Sequence, residues 1–286
     1  DWVTFNGGNP IVAAASTLNA AQIAEVWERV KEDYLPFDID VTTDLARYQN
    51  APVGRRMRVI ITPTSGWFDS VGGIAYNDSF ARAGTSYFTA DIPCWVFNSS
   101  PASIAEAVSH ELGHTLGLKH DGDSSQPEGS LEREYYGGHG SGAVSWGPIM
   151  GGPYGRVLTQ WSKGEYLHAN NQEDDLAIIS GEQATPLTGA TNQTGYVADD
   201  AGGSRETAAA LAIVSDAFSQ IGLVTSEDDV DYYSFSIGGT QTLAVDATRT
   251  SAYPNLDIRL ELRDSAGNIV AVSDEDAVLV ANINQS

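Results

Sequence analysis

Apolar residues recur along the first part of the chain in two rhythms. Ile23, Val26, Trp27, Val30 and Tyr34 fall three and four apart, which puts one apolar face on a helix. Asn19 can cap that helix, with Gln22 three residues on in a capping-box arrangement, and Pro36 ends it. Elsewhere the rhythm is two, or the runs are short. "WVTF" (2–5), "FDIDVTT" (37–43), "MRVIIT" (57–62), "GGIAY" (72–76) and "CWVF" (94–97) read as strands. Ser100 and Pro101 then have the form of an N-cap and first turn of a second helix. Ile104, Val108, Leu112 and Leu116 are its apolar seam, and Gly117 lets the chain leave it sharply. The order β-α-β-β-β-β-α predicts an α+β unit: a mixed twisted sheet carrying two helices, the second of them long.

The texture changes near Thr185. The stretch 186–207 is rich in Gly, Thr, Asn and Asp and reads as a linker between a first domain, 1–185, and a second, 208–286. Beyond it the period is two. "LDIRLELR" (256–263) puts Leu256, Ile258, Leu260 and Leu262 on one face, "DSAGN" (264–268) is a turn, and "IVAVS" (269–273) returns. "YSFSI" (233–237) and "TLAV" (242–245) alternate as well. A small antiparallel all-β sandwich is the expectation.

With 286 residues the chain suffices for these two domains. The net charge of −23 repels polyanions, so nucleic acid is excluded as a partner, and an acidic surface suits solubility in saline water. One cysteine, Cys94, allows neither an intrachain disulfide nor a cysteine-based metal site. No apolar run reaches the 18 or so residues of a membrane span. The chain starts at Asp1 without a signal peptide, which leads us to expect either a processed mature form, and so an exported one, or a chain trimmed at its start.

The chemistry concentrates in "SHELGHTLGLKHDG" (109–122), which holds three of the five histidines. His110 and His114 stand about one helical turn apart and project from one face. His120, three residues after Gly117, can swing back as a third nitrogen ligand. Three neutral imidazoles leave one corner of a tetrahedron open for water, the arrangement of a catalytic zinc rather than a closed structural one. Glu111 follows a ligand, so its side chain is aimed beside the metal, where it can act as general base and acid.

The pattern H-E-x-x-H-x-x-G-x-x-H resembles that of the metzincin zinc peptidases. The resemblance implies further roles. Met150, in "SWGPIMGGPYG" (145–155), stands where metzincins carry the methionine of a turn beneath the metal. Gly72, Gly73, Ile74 and Ala75 occupy the place of the edge strand that pairs with substrate backbone. Asp121, after the third ligand, resembles the reprolysin-like group. His139, in the segment that walls the pocket after the scissile bond, is either a substrate contact or a loop histidine. Some metzincins place a tyrosine two residues after the methionine as a donor to the oxyanion. That position is Gly152 here, and Tyr154 lies two further on, either as that donor or as a packing residue.

"DDVDYYSF" (228–235), "NLDIRLELRDSAGNIVA" (255–271) and the Asp/Ser residues that follow resemble a bacterial pre-peptidase C-terminal (PPC) domain. Such domains continue into an aromatic-rich strand pair, so an incomplete copy is expected here. "NNQEDDL" (170–176) and "SEDDVD" (226–231) have the oxygen-rich composition of calcium sites without an EF-hand pattern; solvated acidic turns are the other reading. His168 and Cys94 are expected to be structural.

These observations predict a secreted, extracellular bacterial zinc endopeptidase acting on proteins or peptides, with Zn2+ as cofactor and Ca2+ as a second candidate. The alternative is a non-catalytic or glycoprotein-directed metzincin-fold module that recruits extracellular matrix or glycan. Glu111 together with all three ligands favours the enzyme. Nothing in the sequence fixes the oligomeric state.

Overall fold

The computed structural model describes residues 2–68, 70–240, 242–253, 255–274, 278 and 280–285. The end of the Asp/Ser stretch, 275–277, falls outside them. Helices are α1 (Ala20–Tyr34), α2 (Leu45–Asn50), α3 (Ser79–Arg82), α4 (Pro101–Thr115), α5 (Leu131–Glu134) and α6 (Asp175–Ser180). Strands β1 (Val59–Ile61), β2 (Gly73–Ile74) and β3 (Cys94–Val96) form one sheet in the order β1-β3-β2. β1 runs parallel to β3, with Val59 opposite Cys94 and Ile61 opposite Val96. β2 is antiparallel to β3, with Gly73 opposite Val96, and lies at the sheet edge. The protein is thus mixed α/β with small sheets.

Local signals set both long helices. Asn19 and Gln22 form the reciprocal capping box of α1. The Ser100 hydroxyl accepts from the Ser103 N–H at the head of α4, and Pro101 follows it. The helices pack together over one face of the sheet. Val26, Val30 and Tyr34 from α1 meet Ile104, Ala105, Ala107 and Val108 from α4, with Val96 beneath. Trp95 points the other way, as strand alternation requires, into a cluster with Trp2 and Trp67.

Two expected strands are absent. Residues 2–6 form a 3-10 turn instead, because Trp2 tucks its ring against Tyr76 at 4.2 Å and donates from its indole to Pro93 O. The segment 37–43 alternates without joining a ladder. Phe37, Ile39 and Val41 pack on the main core, while its pairing is limited to a bridge from Phe37 to Tyr196 and a bond from Asp38 N to Gly195 O.

β4 (Trp146–Pro148) and β5 (Leu158–Gln160) form a short parallel pair after α5. In the C-terminal part, β6 (Ala209–Ala210) pairs with β7 (Tyr233–Ser234) in parallel. β8 (Leu243–Ala247) pairs with β11 (Ala281–Gln285), and β9 (Leu260–Arg263) with β10 (Ile269–Ser273), both antiparallel. The parallel β6–β7 pair departs from the all-antiparallel expectation, and β9 begins only at Leu260.

The stretch 186–207 does not hang free. Asn192 is buried and its amide donates to Leu116 O at 2.7 Å and Ile178 O at 2.9 Å. Both are carbonyls at helix ends: Leu116 is the C-cap of α4, and Ile178 O takes this donor beside Gly181 N at the end of α6. Thr194 serves Ile179 O, and Tyr196 stacks on Phe37 with ring centroids 5.6 Å apart. Its polar composition therefore reflects polar packing duties, and the first unit extends past 185. The C-terminal part also touches that unit: Asn255 Nδ2 donates to Asp33 Oδ1 at 3.1 Å, and Tyr253 lies under the Arg29 guanidinium at 3.9 Å.

Candidate metal centre

α4 presents His110 and His114 on one face, and the chain after it brings back His120. The turn is possible because Gly117 adopts φ 100°; a Cβ there would also stand 2.4 Å from Asp78 Oδ1 and 2.5 Å from Thr185 Cγ2. Ligand nitrogens of the three imidazoles all lie within 4.8 Å of one another.

Each ring is oriented through its other nitrogen. His110 Nδ1 lies 2.9 Å from Ile149 O, His114 Nδ1 lies 2.8 Å from Leu118 O, and His120 Nδ1 lies 2.9 Å from Glu134 Oε1. These partners are acceptors, so each Nδ1 carries the proton and each Nε2 presents a lone pair. His114 Nε2 and His120 Nε2 then face one another at 2.9 Å, acceptor against acceptor. Only a cation or a proton between them relieves that opposition. Burial lowers the proton affinity of all three: His110 falls to about 4, with the charge of His120 as the second cause, and His114 and His120 fall as well. Neutral imidazoles with converging lone pairs are the state in which a transition metal is bound, so the donor set fits zinc.

Glu111 is 6% exposed, and burial pushes its carboxyl up to about 8. It lies against β2: a Cβ at Gly73 would stand 2.6 Å from both Glu111 Cγ and Oε1. Met150 is fully buried in the turn where Gly151 N bonds Pro148 O at 3.0 Å. A Cβ at Gly113 would stand 2.5 Å from its sulfur, so the glycine inside the motif admits the methionine beneath the helix. Asp121 is buried, donates from its N–H to Met150 O at 2.9 Å and accepts from Tyr136 N at 2.7 Å, tying the third ligand's segment to the methionine turn.

Tyr154 is 53% exposed, and its hydroxyl oxygen accepts from Asn98 Nδ2 at 3.2 Å beside Gly72. Gly72 O accepts from Phe97 N at 2.8 Å; Ala75 lies beyond the end of β2. His139 stands apart from the triad, bonded through Nδ1 to the Tyr136 hydroxyl at 3.0 Å and packed on Trp146. Its loop is held by Arg156, which donates to the carbonyls of Gly137 at 2.7 Å, Gly138 at 3.0 Å and Gly140 at 3.0 Å. Cys94 is buried, as expected, and His168 is remote, its carbonyl accepting from Ser124.

Of the two acidic stretches, 170–176 is engaged locally: Glu173 pairs with Lys119 at 2.6 Å, Asp174 caps α6 and Asp175 accepts from Ser162 N. In the other, Asp231 gathers with Asp199 and Asp200, their oxygens within 4.8 Å. Three functional features escaped the sequence reading: Glu134 on His120, Tyr135 with its ring centroid 4.3 Å from that of His120, and Asn98 on Tyr154.

No protein-family model matches the chain, and no curated protein or solved structure proves significantly similar to it. The resemblance to metzincins rests on the sequence motif alone.

Proposed function

We propose that the protein is a zinc-dependent endopeptidase that hydrolyses peptide bonds in extracellular proteins. The observation that carries this is the pair of Nε2 lone pairs of His114 and His120 facing each other at 2.9 Å, with Glu111 buried beside them. His110, His114 and His120 would hold the ion, which when bound supplies Lewis-acid polarisation of a carbonyl and acidifies water. Beside a bound cation the Glu111 carboxyl, raised by burial to about 8, would ionise more readily and so be available as a base near neutrality. Glu111 then takes a proton from the attacking water and returns it to the leaving amine. The edge strand β2 offers main-chain groups to an extended peptide, and Tyr154 offers a hydroxyl to the developing oxyanion. No helix among the described residues is long and apolar enough to cross a membrane. The acidic surface suits a secreted setting in saline water, and calcium at the Asp199–Asp200–Asp231 group belongs to the same proposal.

The test is a peptide-library digest with metal analysis. The expected result is chelator-sensitive cleavage with one zinc per chain. Glu111→Ala should keep the zinc and lose at least 10²-fold in kcat, as expected for a missing proton-transfer group. Full zinc occupancy without cleavage of any peptide would favour a binding module.

A further inference from the structure

Asn98 lies in the turn between β3 and α4, and its amide nitrogen makes two contacts. One hydrogen goes to Ser103 O at 2.7 Å, the other to the Tyr154 hydroxyl oxygen at 3.2 Å. A carbonyl oxygen only accepts, so the nitrogen of the Asn98 amide has to face Ser103, and the amide orientation is settled by that partner. The Tyr154 oxygen is then an acceptor towards Asn98, and its own hydrogen is left to point elsewhere. The hydroxyl stands 3.1 Å from where a Cβ on Gly72 would lie, and the next residue, Gly73, touches the Glu111 carboxylate. A phenol whose hydrogen is not used by Asn98 therefore borders the strand that packs against the general base.

We infer that Asn98 is the positioning residue for Tyr154, holding the phenol at the edge of β2 with its hydroxyl hydrogen available to the reacting carbonyl oxygen. The inference rests on the peptidase reading above. The bond to Ser103 anchors the amide to the first turn of α4, the helix that carries His110, Glu111 and His114. Through Asn98 the phenol is referenced to that helix, although it belongs to the loop after Met150. An asparagine is required because it brings two N–H donors on one nitrogen; aspartate brings none.

The experiment compares Asn98→Ala, Asn98→Asp, Tyr154→Phe and the double variant Asn98→Ala/Tyr154→Phe, each with its zinc content measured. Tyr154→Phe should lower kcat roughly 10²-fold, the cost of one oxyanion donor, with KM and zinc little changed. Asn98→Ala should lower kcat about tenfold through misplacement of that donor and add nothing in the Tyr154→Phe background. Asn98→Asp should be at least as damaging, since its carboxylate would accept the hydroxyl hydrogen. A loss from Asn98→Ala that persists undiminished beside Tyr154→Phe would reduce Asn98 to a fold residue and overturn the inference. A second readout does not depend on catalysis. In protein carrying ¹³C-labelled tyrosine, with Tyr154→Phe for assignment, Asn98→Ala should move the Tyr154 ionisation to higher pH, because a donor to the oxygen favours the phenolate. If the wild-type protein cleaves no peptide, the peptidase reading fails on its own; an unmoved Tyr154 titration would remove Asn98 as its holder.

Discussion

Glu134 Oε1 lies 2.9 Å from His120 Nδ1, whereas His110 and His114 are held by main-chain carbonyls. The third imidazole is therefore steadied by an exposed side chain, 58% accessible, from the single-turn helix α5. Glu134→Ala should weaken zinc binding by about 10- to 100-fold, the usual cost of losing an outer partner of a ligating histidine. Glu134→Gln keeps an acceptor and should lose less. Competition with a zinc-binding dye reads both; equal affinity in wild type and Glu134→Ala would show that His120 needs no such support.

Gly73 and Glu111 form a matched pair. A methyl at Gly73 would meet Glu111 at 2.6 Å and Trp95 O at 2.8 Å. Gly73→Ala should displace the carboxylate and the edge strand, lowering kcat/KM by roughly tenfold or more while zinc content is retained. Loss of zinc instead would mean that the strand supports the ligands themselves.

Asp33 gives the fold a pH dependence. Its carboxyl, buried between Ser109 and Asn255, is raised by burial from 3.8 to about 7. A raised value means that the folded state holds the proton more tightly. The contribution to stability is full below 3.8 and is lost as pH rises through about 7. Melting temperature should therefore fall between pH 5 and 8.5. Asp33→Asn should flatten that fall, since Asn255 can turn its amide to offer an acceptor. Parallel melting curves for the two proteins would exclude Asp33 as the source.

A chain cut near Thr191 loses Asn192, Thr194 and Tyr196, which takes the Asn192 donor from Leu116 O and leaves Ile178 O only Gly181 N. It should melt well below the full chain. A cut near Asp200 keeps these contacts and loses those of Tyr253 and Asn255; it should fold, bind zinc and melt a few degrees lower. Equal melting temperatures for the two truncations would show that the stretch 192–196 contributes nothing.

Legibility in the sequence followed the range of the interactions. The caps of α1 and α4 are written within four residues, and so were readable, as was the spacing of His110 and His114. The failures at 2–5 and 37–43 share a cause. Alternation records which side chains are buried; Trp2 is buried in a 3-10 turn, and Phe37 is buried with a single bridge to Tyr196 rather than a ladder. Asn192 was hidden because a polar residue that satisfies a helix end looks like any other polar residue. Glu134 and Asn98 lie 14 and 56 residues from the groups they hold, and no local pattern marks such partners.

Arg156 grips the loop 137–140 by carbonyl oxygens, and a carbonyl is the same whatever residue bears it. The path of that loop is thereby insulated from most of its own side chains. Gly138 and Gly140 are exempt, since they hold φ 77° and 75° and a Cβ at Gly138 would stand 2.1 Å from Trp146 O. Positions such as 139 and 141 can drift, or be randomised in a library, over an unchanged frame. One cation thus turns a glycine-rich segment into an interchangeable cassette, whose exposed side chains are open to point substitution without rebuilding the loop.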